Sequence, residues 1–141
     1  YHIGGKTPIG RCLDQDRFKD FATIDQPETR AVFNPGGTNE RFARQHLQHA
    51  QFIIFPDNRF IFQELMEGRA DVMFTDEIEV ALKTQQHRPL CALMPGQRLT
   101  YQEKAIWLQK DDALKQYIDD WLQTIIADGS LKALFDDALG R

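Results

Sequence analysis

Asp76 and Glu79 stand three residues apart directly after the apolar run Val72-Met73-Phe74, which puts both carboxylates in the opening turn of one helix. Two uses fit this pair. In a capping box, Asp76 accepts from the backbone N–H of Glu79 while Glu79 reaches back to the N–H of Asp76. In a binding or catalytic site, Asp76 is a fixed anion able to hold a ligand ammonium, and Glu79 is a general acid. The positive end of the helix favours ionised Glu79, whereas burial and a neighbouring anion favour the protonated form that a proton donor needs. The local pattern leaves both uses open. A second constellation is Asn34-Pro35-Gly36-Gly37-Thr38-Asn39, after the apolar run Ala31-Val32-Phe33. Gly36 and Gly37 let backbone N–H groups turn toward one spot, and Thr38 or Asn39 can cap the next helix beside the positive end of its dipole, an anion site in outline. The alternative is an ordinary strand-to-helix turn that needs glycine for its backbone angles.

Other chemistries find little footing. Ser130 is the sole serine and lies near the C-terminus, so no Ser-His-Asp arrangement suggests itself. Cys12 and Cys91 lack metal-type spacing, and His2, His46, His49 and His87 supply no cluster to join them; no metal site is expected. His46 and His49, at i and i+3 of one helix, read as a solvated or partly packed pair. The diglycine is not followed by Lys and Ser or Thr, and no Gly-x-Gly-x-x-Gly occurs, so a nucleotide has no cradle.

The elements that must position these residues follow from apolar patterning. Ala31-Val32-Phe33, Phe52-Ile53-Ile54-Phe55 and Val72-Met73-Phe74 are continuous rather than alternating runs, as expected of strands covered on both faces in a parallel sheet. Each precedes a helical segment. Thr38–Ala50 aligns Phe42, Ala43, Leu47 and Ala50; Asn58–Glu67 carries Phe60, Ile61, Leu65 and Met66 and stops at Gly68; Glu77–Lys83 presents Ile78, Ala81 and Leu82. Phe60, Phe62 and Met66 are expected in the core. This alternation predicts an α/β fold, a mostly parallel sheet flanked by helices, with ligands beyond the C-terminal ends of the strands. All three of those ends are polar. Further strands are expected at Thr7–Leu13, Leu90–Met94 and Ala105–Leu108. Beyond Lys110 a long amphipathic helix gathers Leu114, Tyr117, Ile118, Trp121, Leu122 and Ile125 on one face, and a short helix follows from Ser130 through Leu139.

The 141 residues suffice for one domain with a sizeable core; 42% are hydrophobic and 27% charged, which excludes a disordered or fibrous chain. The residues from Asp111 on carry seven acidic and three basic side chains, so that segment holds the whole net charge of −4. With no basic stripe, nucleic acid is not an expected partner. No apolar run approaches the roughly 20 residues of a membrane span, so no membrane insertion is expected.

Several segments together resemble a known family: Asn34-Pro35-Gly36-Gly37-Thr38-Asn39-Glu40-Arg41-Phe42-Ala43-Arg44, Pro56-Asp57-Asn58, and Gly68-Arg69-Ala70-Asp71-Val72-Met73-Phe74-Thr75-Asp76-Glu77-Ile78-Glu79. Gly5-Lys6-Thr7-Pro8-Ile9, Glu103-Lys104-Ala105 and both cysteines extend the match. The chain resembles the cyclohexadienyl dehydratases, which belong to the periplasmic solute-binding proteins of the polar amino-acid type. The resemblance implies a type 2 periplasmic-binding-protein-like fold with the first of two lobes missing. It divides the chain into an inter-lobe crossing strand and lead-in segment (1–29), a second α/β lobe (30–94), and a returning strand with C-terminal helices that would pack on the absent lobe (95–141). It further implies conversion of prephenate to phenylpyruvate or arogenate to phenylalanine, without a cofactor. Gly36, Gly37 and Thr38 would grip a ligand carboxylate and Asp76 its ammonium, with Asn34 orienting the substrate and Glu79 protonating the departing hydroxyl. Plain amino-acid receptors usually carry an apolar residue where Glu79 stands, which makes it the discriminating position between a dehydratase and a non-catalytic receptor lobe. With half the site missing, the chain alone is expected to turn over little or nothing.

Two expectations follow from this resemblance. The stripe of Leu114, Ile118, Trp121 and Ile125 would bury itself in another copy of the chain or back on the second lobe. A periplasmic, oxidising location would let Cys12 and Cys91 pair, with two reduced buried thiols as the alternative.

Overall fold

The computed structural model describes residues 1–140. In chain order the elements are β1 (His2–Gly4), β2 (Lys6–Arg11), α1 (Phe21–Ile24), β3 (Arg30–Phe33), α2 (Thr38–His46), β4 (Gln51–Ile54), α3 (Ile61–Met66), β5 (Val72–Asp76), α4 (Glu77–Gln86), β6 (Leu90–Ala92), β7 (Gln102–Lys104), α5 (Asp112–Ala127) and α6 (Ser130–Ala138). Five strands form a mixed sheet in the order β4-β3-β5-β2-β6. β3 runs parallel to both β4 and β5, while β2 is antiparallel to β5 and β6, so four of the five strands share one direction. The short β1 and β7 pair antiparallel as a separate ribbon.

Alternation along the central strands explains their continuous apolar runs. Ala31, Phe33, Val72 and Phe74 face one layer with Phe18, Ile24 and Phe42, whereas Val32 and Met73 face the other with Ile9, Ile61, Leu65 and Val80. Each fully buried Phe, Leu or Ile stabilises the fold by about 1.5–3 kcal/mol. Phe74 anchors its layer, with ring centroids 5.2 Å from Phe42 and 5.7 Å from Phe21. The segment 1–29 contributes β2, the strand between β5 and β6, and the buried Phe18 and Ile24 to this same sheet and core.

Several expected boundaries move, each for a tertiary reason. β4 is the edge strand, so Ile54 is 52% exposed rather than covered on both faces. α2 stops at His46 instead of Ala50, because the N–H groups of Gln48, His49 and Ala50 donate to the Asp25 carboxylate at 2.9, 2.7 and 3.0 Å and not to helical carbonyls. Leu47 and Ala50 are buried all the same. α3 begins at Ile61, leaving Phe60 exposed beneath Arg59; Phe62 is core as expected. Ala105–Leu108 is not a strand. Pairing stops at Lys104, opposite His2, because β1 is only three residues long, and Trp107 lies in solvent.

Gly5 sits where the chain passes from the ribbon into the sheet. A Cβ there would lie 1.8 Å from the Thr100 carbonyl oxygen, so the crossing admits no side chain. The neighbouring Lys6 N–H donates to Thr100 Oγ1 at 2.9 Å. Asp111 caps α5 by accepting from the Leu114 N–H at 2.9 Å. No residue of α5 is fully buried, and Tyr117 and Trp121 are exposed, so the stripe does not fold back onto the sheet layer. Cys12 and Cys91 are disulfide-bonded, with Cα atoms 4.8 Å apart, joining the end of β2 to β6.

Asp71, just ahead of β5, accepts from the Arg30 backbone N–H and Nε, both at 2.9 Å, and from Arg30 Nη2 at 2.8 Å. Burial opposes its ionisation, but these bonds and the Arg30 and Arg11 charges hold the carboxyl below its ordinary value of 3.8. Asp25 is also depressed, by its three backbone donors acting against burial. A carboxyl depressed on folding binds fewer protons in the folded than in the unfolded chain. Its contribution is therefore complete above the unfolded value and is lost as pH falls through the folded one. The urea midpoint is accordingly expected to drop as pH is lowered below about 4, with Asp71→Asn flattening that dependence. A midpoint flat from pH 5 to pH 2 contradicts it.

Candidate functional site

Parallel strands end on the same side of a sheet, so β3 and β5 deliver their exits next to each other. β3 runs out into Asn34, Pro35, Gly36 and Gly37 before α2, and β5 runs directly into α4. Gly36 has φ +76°, a left-handed conformation that favours glycine. Its N–H donates to Glu40 Oε2 at 2.6 Å, and Glu40 is held in turn by Arg44 Nε at 2.8 Å. One of the N–H groups expected to face a ligand is thus used to close the turn. The helix N-cap is Gly37, not Thr38 or Asn39. Asn34 lies beside it, its amide 3.9 Å from where a Gly37 Cβ would stand.

The two exits are tied together. Asn39 Nδ2, in the first turn of α2, donates to Thr75 Oγ1 at 3.3 Å, and the Thr75 hydroxyl donates to the Glu79 carboxylate. Thr75 is fully buried and Glu79 half-buried. Glu79 is therefore held by a side-chain chain of two hydrogen bonds to the helix that follows the diglycine bend. Only one of its oxygens is committed.

The capping box does not form. Asp76 is the N-cap residue of α4 in backbone terms, with extended angles, yet its side chain accepts nothing from the helix. Its two oxygens accept from Lys6 Nζ at 2.9 Å and Lys104 Nζ at 2.5 Å. Burial acts against the ionised form, but the hydrogen bonds and charges of Lys104 and Lys6 outweigh it and keep the carboxyl below its ordinary value. Glu77, the first residue of α4, is taken up bidentately by Arg98 at 2.9 and 2.6 Å.

Sequence reading missed Thr75 and the two lysines as parts of this site. The signal for Lys6 was its place at the head of an apolar strand, since a buried ammonium requires a carboxylate partner. His46 stacks on Phe42 with centroids 4.1 Å apart, and the exposed His49 places Nδ1 3.0 Å from Asp25, so each of the two has a partner within the protein. Among the described residues no three His, Cys, Asp or Glu converge as metal ligands. A hollow of about 490 Å³ lies elsewhere, between β1, α4 and α6, and its lining includes none of Asn34, Gly36, Gly37, Thr38, Asp76 and Glu79.

No protein-family model matches the chain. It is 46% identical over 132 residues to cyclohexadienyl dehydratase from Pseudomonas aeruginosa (strain PAO1), a match covering 94% of this chain and 49% of that protein. The crystal structure of an ancestral cyclohexadienyl dehydratase is similar with a TM-score of 0.65 at 35% identity, over 100% of this chain and 59% of the other. An ancestral amino acid-binding protein, a precursor of cyclohexadienyl dehydratase, gives 0.79 at 25% identity, over 99% and 58%. An amino acid ABC transporter substrate-binding protein from Streptococcus pneumoniae bound to L-arginine gives 0.84 at 20% identity, over 99% and 59%, a likeness of fold. The chain spans about half the length of the curated relative it matches. By sequence it is thus a relative of cyclohexadienyl dehydratase, and by architecture a type 2 periplasmic-binding-protein fold corresponding to part of such a protein.

Proposed function

We propose that this chain forms the acid-bearing wall of a cyclohexadienyl dehydratase cleft, the other wall being supplied by the part of the relatives that it does not span. In this reading prephenate loses water and CO2 to give phenylpyruvate, and arogenate gives phenylalanine. Glu79 passes a proton to the departing ring hydroxyl, which leaves as water. The electron pair of the breaking bond to the ring carboxylate moves into the ring, which becomes aromatic, and CO2 departs. Glu79, left ionised, regains its proton from solvent. Asn34 and the Gly36-Gly37-Thr38 bend orient the substrate and hold its carboxylate. Thr75 fixes one oxygen of Glu79 and leaves the other to carry the proton.

The observation that carries the reading is the Asn39–Thr75–Glu79 connection, which sets a carboxyl group beside the diglycine bend with no helix cap competing for it. The other reading, an amino-acid receptor lobe without catalysis, uses the same bend but requires Asp76 to be free for a ligand ammonium. Asp76 is engaged on both oxygens by Lys6 and Lys104, which counts against an ammonium at that point in either reading, so the choice between them rests on Glu79. A periplasmic location belongs to the proposal and draws support from the Cys12–Cys91 bond, since disulfides persist in oxidising compartments.

The test is a chimera in which this chain replaces the matching half of the Pseudomonas aeruginosa relative. It is expected to form phenylpyruvate from prephenate, while the 141-residue chain alone forms little or none. A folded chimera that binds amino acids but leaves prephenate intact would favour the receptor instead.

A further inference from the structure

Lys6 is 3% exposed at its side chain, and an ammonium so buried is tolerable only against a carboxylate. Asp76 is that carboxylate, and it serves Lys104 as well, from β7 of the separate ribbon. The three groups carry a net positive charge of one. Of the carboxylates nearest them on α4, Glu77 is paired with Arg98, and Glu79 accepts from Thr75 rather than from either lysine. The lysines come from positions 70 and 28 residues distant in sequence, so the cluster is a product of the fold and not a local motif.

A ligand ammonium brought to the end of β5 would have to displace one of these lysines from Asp76. Displacing Lys6 would strand a buried charge, and displacing Lys104 would place two like charges side by side. A carbonyl or carboxylate oxygen at the same point meets Lys104, the more exposed of the two at 31%, without breaking either pair. We propose that Lys6 and Lys104 close Asp76 to cationic groups and thereby select α-keto acids over the corresponding α-amino acids. This rests on the cleft reading given above, and it makes a prephenate-type side chain the preferred ligand over an arogenate-type one.

Phenylpyruvate and L-phenylalanine form a matched pair of probes, differing only in the keto or ammonium-bearing carbon. Amide resonances of this chain, isotopically labelled within the chimera described above so that both walls of the cleft are present, are followed during titration with each. Phenylpyruvate is expected to shift the amides of Gly37, Thr38, Asn39 and Glu79, with a dissociation constant at least about tenfold below that of L-phenylalanine. Lys104→Gln is expected to narrow that ratio about threefold or more. Equal affinities, or tighter binding of the amino acid at the same amides, overturn the selectivity while leaving the cleft standing. An unchanged ratio in a folded Lys104→Gln variant overturns the assignment to the lysines. Shifts from neither ligand at these amides overturn the cleft reading and this inference together. Should Lys104→Gln lose its dispersed spectrum, Lys104→Met is measured in its place, with the same two outcomes.

Discussion

In the chimera described above, Glu79→Gln lowers kcat for prephenate by roughly 10²–10⁴-fold and leaves KM within a few-fold of its starting value. Glutamine has the same shape and offers an oxygen to the Thr75 hydroxyl, so the connection through Asn39 to the diglycine bend can persist. What it cannot do is release a proton to a leaving hydroxyl. Aromatisation supplies much of the driving force of the proposed reaction, so one positioned acid can account for most of what the protein adds. Loss confined to kcat separates this role from substrate binding, because a group used equally in ground and transition states would raise KM instead. A Glu79→Gln chimera retaining full kcat would remove the acid and, with it, the reason for preferring a dehydratase to a receptor.

Replacing Cys12 and Cys91 together by serine lowers the unfolding free energy by on the order of 4 kcal/mol and moves the urea midpoint down by about 1 M or more. The bond closes a loop of 79 residues, which includes β3, β4, β5 and the helices between them. In the chain-entropy account a loop this long restricts the unfolded ensemble strongly, and the folded state already brings the strands together, with Gly10 paired to Cys91 and the Cys12 N–H donating to the Pro89 carbonyl at 2.8 Å. The bond lies at the β6 edge of the sheet, and the diglycine bend follows β3 on the far side of β5 and β2. Ligand affinity measured below the new midpoint is therefore expected to stay unchanged. A midpoint that does not move on loss of both sulfurs would mean that the unfolded chain is already compact across this loop.

The amino-acid sequence by itself determined the α/β class, the three apolar strands with polar exits, the amphipathic C-terminal helix and Gly68 as a helix stop. Each of these follows from side-chain period or from turn chemistry acting over a few residues. Asn34, Gly36, Gly37, Thr38, Asp76 and Glu79 were legible as candidates for the same reason, since strand ends and helix starts are local features. Only the tertiary structure decided what the polar groups bind. The spacing of Asp76 and Glu79 matches a capping box, but partners absent from that stretch outcompete it, namely Lys6, Lys104 and a Thr75 hydroxyl oriented by Asn39. The early end of α2 has the same origin, in a carboxylate 23 residues upstream of Gln48 that takes its N–H. Short-range patterns rank the local alternatives, but a buried charge is settled by whichever opposite charge the fold brings within hydrogen-bonding distance, and that distance is set by sheet order rather than by sequence separation.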